Sequence, residues 1–178
     1  MTSKNELFVA AESLRKTELS YTHMKDDKSL PDAFHEAARA TKLALQALEV
    51  ISHPGNEPNN YSSRTGLNNT LTLCGRNSHT LMETISTLAT QKGTSRLEDY
   101  TKLVQVQGRE PVEVLASKIL VNVLNAIANL PSSSESQKLV QEMKDAIERL
   151  NKLKLSVYPY DSVHNTQVGK ASNQCNNW

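Results

Sequence analysis

Aromatic side chains are scarce in this 178-residue chain, at 4%, and so are glycine (6), proline (6) and cysteine (2). Each shortage removes a class of function. Few aromatics leave few platforms on which bases could stack. Two cysteines, Cys74 inside an apolar ladder and Cys175 near the end, suit a reducing compartment such as the cytoplasm better than a disulfide framework. Gly93-Thr-Ser and Gly108-Arg-Glu-Pro are too poor in glycine to cradle phosphates. No Walker loop, dinucleotide fingerprint or nucleophile elbow is present.

Charge of one sign is lacking too. With 20 basic and 19 acidic residues the net charge is +1, so no global field draws the chain to nucleic acid, which is not expected as a partner. Long apolar runs are missing: residues 119–130 are the densest stretch, and Asn122, Asn125 and Asn129 interrupt it well short of a membrane span. Near the N-terminus, Lys4 and Glu6 break up any signal-peptide core. A soluble protein is expected. The Ser, Thr and Asn richness and irregular C-terminus are also compatible with a protein that a pathogen delivers into host cells.

What the chain does have is an apolar ladder stepping by fours and threes in four stretches. The clearest copies are Leu67, Leu71, Cys74, Ser78, Leu81, Ile85, Leu88 and Leu139, Met143, Ala146, Leu150, Leu153, Val157. Such steps return to one side of a helix, so each stretch carries a stripe to bury. The expected fold is all-α: an up-and-down antiparallel bundle of four long helices plus one short helix over residues 1–158, followed by a polar tail, 159–178.

Start and stop signals divide the chain. Ser3-x-x-Glu6 is a capping box, with Leu7, Ala11, Leu14, Tyr21 and Met24 as the inner face behind it. Ser29-Leu-Pro31-Asp32 opens a helix striped by Phe34, Ala38, Thr41, Leu45 and Leu48; a run of alanines beside the stripe keeps it slim, and His53-Pro54-Gly55 stops it. A helix from about Ser63 to Lys92 holds Gly66, Gly75 and many threonines, so packing must stabilise it more than propensity does. Ser95-x-x-Glu98 caps the short helix, which Gly108 should end, with an extended Leu103–Val106 as the alternative. Pro111 opens the most apolar helix and Pro131 stops it. Ser132-x-x-Glu135 caps the last, where Lys138/Glu142, Lys144/Glu148, Asp145/Arg149 and Glu148/Lys152 are spaced for ion pairs.

Candidate chemistry is thin. His35-Glu36-Ala-Ala-Arg39 starts like a zinc-protease helix, but Arg39 stands where the second histidine must be. His35 and Glu36 then read as a solvated face. His79 and Glu83 give two ligands, too few for a metal site, and no Glu-x-x-His occurs for a di-iron bundle. Cys74 reads as core filler with an unactivated thiol. Asn60-Tyr-Ser62 and Asn68-Asn-Thr70 match the glycosylation pattern by chance. No metal or cofactor is expected.

What remains is binding. The expected function is a non-enzymatic protein–protein interaction module: an adaptor, regulator or effector-type bundle whose partner is another protein or a second copy. Its contact residues are expected along the polar stripe Lys118, Asn122, Asn125 and Asn129, and at the tail anchors Tyr158, Tyr160 and Trp178. One alternative is an enzyme with an unrecognised site around Asp32, His35, Glu36, His79 and Glu83. Another is phosphate or lipid-headgroup binding through Arg149, Lys152 and Lys154, although cations at a helix C-terminus also answer the helix dipole.

Overall fold

A computed structural model describes residues 2–53, 61–91, 95–128, 130 and 133–159. Among these it contains six helices and no strand: α1 (Thr2–Tyr21), α2 (Asp32–Ser52), α3 (Tyr61–Thr90), α4 (Arg96–Gln105), α5 (Val112–Ile127) and α6 (Ser134–Lys152). The all-helical reading holds, but there are five long helices rather than four. The start and stop signals mark all six segments, whereas the apolar ladder alone marks four, because α1 buries small and polar residues such as Ala10, Ser13 and Thr17.

Contacts between helices fix their directions. Arg15 meets Glu49 and Tyr21 meets His35, so α1 and α2 run oppositely. Ser20 meets Ser86, and Glu6 and Val9 lie against Gly75, so α1 and α3 run together. A Cβ at Gly75 would sit 3.6 Å from Glu6, ordinary contact distance, which marks how closely α1 approaches there. The starts of α2 and α5 share one end of the bundle, where Phe34 stacks edge-on against Tyr100 and the Tyr100 hydroxyl accepts from the Val112 amide. α6 finishes at that end, with Arg149 on Glu36.

The ladders behave as their spacing implies. Every member of the α3 ladder is buried, and both α2 rows, the Phe34–Ile51 stripe and the alanines 33, 37, 40, 44 and 47, are buried as well. A helix with two buried rows has neighbours on both sides, and α2 packs on α1, α5 and α6. Cys74 is fully buried, and burial pushes its thiol up to about 11. That matches the core-filler reading.

Local signals are less exact. α1 stops at Tyr21, and Met24 is buried from the turn beyond it. α1 already contains Ser3, so Ser3 is not the N-cap expected of it, and Pro54, Gly55, Gly93 and Pro131 lie outside the described residues. Ser95 is the N-cap of α4, but its side chain makes no capping bond, so that box does not form. In α6 the box is one residue later than expected, built from Ser133 and Ser136. The extended alternative for 103–106 is excluded, since α4 runs to Gln105 and the chain turns at Gly108 with φ of 67°. α6 ends at Lys152, so Leu153 leaves the ladder for a position 39% exposed, whereas Val157 is buried from outside the helix.

Candidate interaction surface

α5 is apolar over most of its circumference, and α2 and α3 cover most of it. Ile119, Leu120, Val123 and Ala126 are buried against them. On the opposite side α6 packs less fully and leaves a seam. Lys118, Val121 and Asn125 step by three and four along the open edge, with Val121 42% exposed. Beside this edge the seam opens into two grooves. The upper, about 460 Å³, lies between Leu124, Ile127 and Leu130 on one side and Gln137, Val140 and Lys144 on the other. The lower, about 340 Å³, lies between Val114, Ser117 and Lys118 and the residues Leu150, Leu153 and Leu155.

Of the expected stripe, Lys118 lines the lower groove and Asn125 the upper. Lys118 is exposed and pairs with Glu110 at 2.6 Å, Asn122 is half-buried, and Asn125 lines the upper groove. Asn129, Tyr160 and Trp178 lie outside the described residues. Tyr158 is 48% exposed, and its carbonyl accepts from Gln105 Nε2 at 3.1 Å. Lys118 and the start of the C-terminal segment, Leu153 and Leu155, line the same groove. The groove brings Lys118 beside the residues that follow α6, while Tyr158 is held at Gln105 of α4.

The enzyme candidates do not converge. His35, expected on a solvated face, is buried at 8% in the first turn of α2. Its Nε2 lies 3.0 Å from the Asp27 carbonyl, which can only accept, so Nε2 donates; in the neutral ring Nδ1 then accepts from the Tyr21 hydroxyl at 2.8 Å. Both ring nitrogens are engaged in holding a turn. Asp27 itself accepts from the Ser29 amide and hydroxyl and from Arg96 Nη1 at 2.7 Å. The Ser29 hydroxyl and then the Arg96 guanidinium hold its carboxyl down to about 2. Glu36, half-buried, takes Arg149 at 2.8 Å and Arg39 at 3.5 Å. Asp32 is exposed, and His79 and Glu83 form an exposed pair 3.5 Å apart. Among the described residues no group of three His, Cys, Asp or Glu side chains could hold a metal ion.

The cation cluster is dispersed in the same way. Arg149 reaches across to α2 and Lys152 pairs with Glu148, leaving Lys154 beyond the helix end. Lys138–Glu142 also forms, but among the described residues Lys144/Glu148 and Asp145/Arg149 do not, since Asp145 takes Gln141 instead. Exposed pairs of this kind contribute little.

Sequence reading missed a buried acid. Glu113 is 4% exposed in the first turn of α5. One oxygen accepts from the Tyr100 hydroxyl at 3.2 Å and the other from the Ser156 amide. Burial, then the Glu113 charge, pushes the Tyr100 phenol well above its ordinary value. An acid in a first turn looks like a solvated answer to the helix dipole, so nothing local marks it as buried. Sequence reading missed Val121 too, although its place beside Lys118 and Asn125 on the helix is a signal that could have found it.

A family model described as SesA, an N-terminal domain on NACHT NTPases and P-loop NTPases, matches residues 10–126. The chain belongs to the SesA family. No curated protein and no solved structure matches it. The SesA match runs from α1 to one residue before the end of α5. It includes the α5 edge of the seam and stops before α6. SesA domains sit on NTPases, yet these 178 residues carry no Walker sequence, so the family match adds no nucleotide site to this chain. Among the described residues no helix is long and apolar enough to cross a membrane.

Proposed function

We propose that this SesA chain is a non-enzymatic, regulatory interaction domain, an up-and-down bundle over residues 1–158 that binds another protein along the α5–α6 seam. The observation that carries the reading is the seam itself. Val121 stands exposed on the α5 edge beside two grooves with largely apolar walls, and the uncharged amides of Asn125, Gln137 and Asn151 line them. Apolar side chains framed by amides suit a partner surface, where charges are depleted at the centre and polar groups hold the rim. The family's occurrence on NACHT and P-loop NTPases supports a regulatory role for a helical domain of this kind. An unbridged, buried Cys74 suits a reducing compartment such as the cytoplasm.

The test is a photo-crosslinker placed at Val121 of the full chain, in lysate from its source cells, beside one at exposed Thr72 on α3. A discrete adduct at Val121 that Asn125→Arg abolishes, with the helical circular dichroism unchanged, is the expected result. Equal labelling at both positions sinks the seam as the contact surface.

A further inference from the structure

We propose that residues 153–159 form a strap that undocks as a unit while the six helices stay folded, with the Glu113 carboxylate as its latch. α6 closes with the Leu153 amide on the Leu150 carbonyl, and the chain then leaves helical geometry. The contacts that hold it from there include the Ser156 amide on Glu113, the Tyr158 carbonyl on Gln105, and the buried Val157 side chain. Against these, the Ser156 hydroxyl is buried with no hydrogen-bond partner, a cost that burial imposes on any unpaired polar group. Leu153 and Tyr158 spend much of their surface in solvent. Large side chains left in solvent and an unsatisfied buried hydroxyl are the marks of a segment that opens locally, below the free energy of global unfolding.

The latch is built to outlast the opening. Glu113 keeps its second oxygen on the Tyr100 hydroxyl, which is itself fixed by the Val112 amide, so the carboxylate stays in place when Ser156 departs. Glu113 also lines the lower groove, whose facing wall includes Leu153 and Leu155 of the strap. Displacing those leucines pulls on Ser156, so the width of the groove and the docking of the strap are one equilibrium. The use of that equilibrium in binding rests on the seam reading above; the strap itself does not.

Hydrogen exchange measured by mass spectrometry on the full chain tests this without a partner. Peptides covering 153–158 should exchange faster than those of α5 and α6 in the wild type. Glu113→Gln keeps an acceptor for Ser156 but removes its charge, and should speed strap exchange roughly tenfold or more. Val157→Ala should do the same with Glu113 intact, which keeps the test valid if the buried substitution weakens the whole fold. α2 and α5 peptides should not change in Val157→Ala. Strap exchange that keeps pace with the core in the wild type, or a Val157→Ala effect spread evenly over all helices, overturns the proposal. Strap opening as expected beside a failed seam crosslink leaves the strap standing and removes only its proposed use.

Discussion

The middle of this bundle and the end where α2 and α5 begin are held by different forces. In the middle, Leu45, Leu48, Leu81, Ile85, Ile119, Leu120 and Val123 meet with no charged group among the buried residues, and the alanines of α2 let its neighbours come close. At the end, four ionisable side chains, His35, Asp27, Tyr100 and Glu113, are wholly or largely withdrawn from solvent, each with hydrogen-bond partners from other elements. The first region is adhesive without being directional. The second fixes which turn sits on which helix. A bundle of this kind obtains its stability from one place and its detailed register from another.

The contrast can be broken from either side. Leu120→Ala should have the largest effect, a loss of about 2–5 kcal/mol in chemical denaturation, because a fully buried leucine leaves a cavity among neighbours that relax only in part. A loss far below that range would mean that the middle collapses freely. Tyr100→Phe should cost less, about 1–3 kcal/mol: the ring keeps its edge contact with Phe34 while the Val112 amide and the Glu113 carboxylate each lose a partner. A neutral outcome would show that the polar end contributes no stability.

The smallest effect is read against pH. Asp27 has a folded value of about 2 against an ordinary 3.8, so its contribution is full above 3.8 and disappears as pH falls through 2. The stability gap between wild type and Asp27→Asn should therefore narrow across that window in acid denaturation. A gap that stays constant from pH 5 to about pH 2 would remove the charged Asp27–Arg96 contact as its source.

Legibility in the sequence follows the same division. A buried leucine in the middle is set by its own helix, and its neighbours three and four residues away announce it; that is why the α3 ladder and both α2 rows could be read directly. The polar end joins residues that no local window contains, Asp27 to Arg96, Glu113 to Ser156 and Glu36 to Arg149. By local pattern His35 therefore reads as part of a solvated face, and nothing near Glu113 marks it as buried. The seam falls between these cases: its α5 edge shows in the spacing of Lys118 and Asn125, whereas the facing wall depends on how α6 docks. Capping boxes at Ser95 and Ser132 failed because the pattern names a residue type and leaves the entry angle of the chain open.

Threonines along α3 give that helix a distinct standing. The hydroxyls of Thr70, Thr72, Thr80, Thr84, Thr87 and Thr90 each turn back to the carbonyl four residues earlier. Side chains that bond in this way slightly weaken the helix they decorate, and of these six Thr84 also accepts from Arg109 Nη1. A 30-residue helix so composed, with Gly66 and Gly75 within it, has little tendency to nucleate alone. Its order is conditional on company: α1 and α5 supply the surfaces on which it becomes helical. Taken alone, α3 has less tendency to hold a helical shape than alanine-rich α2.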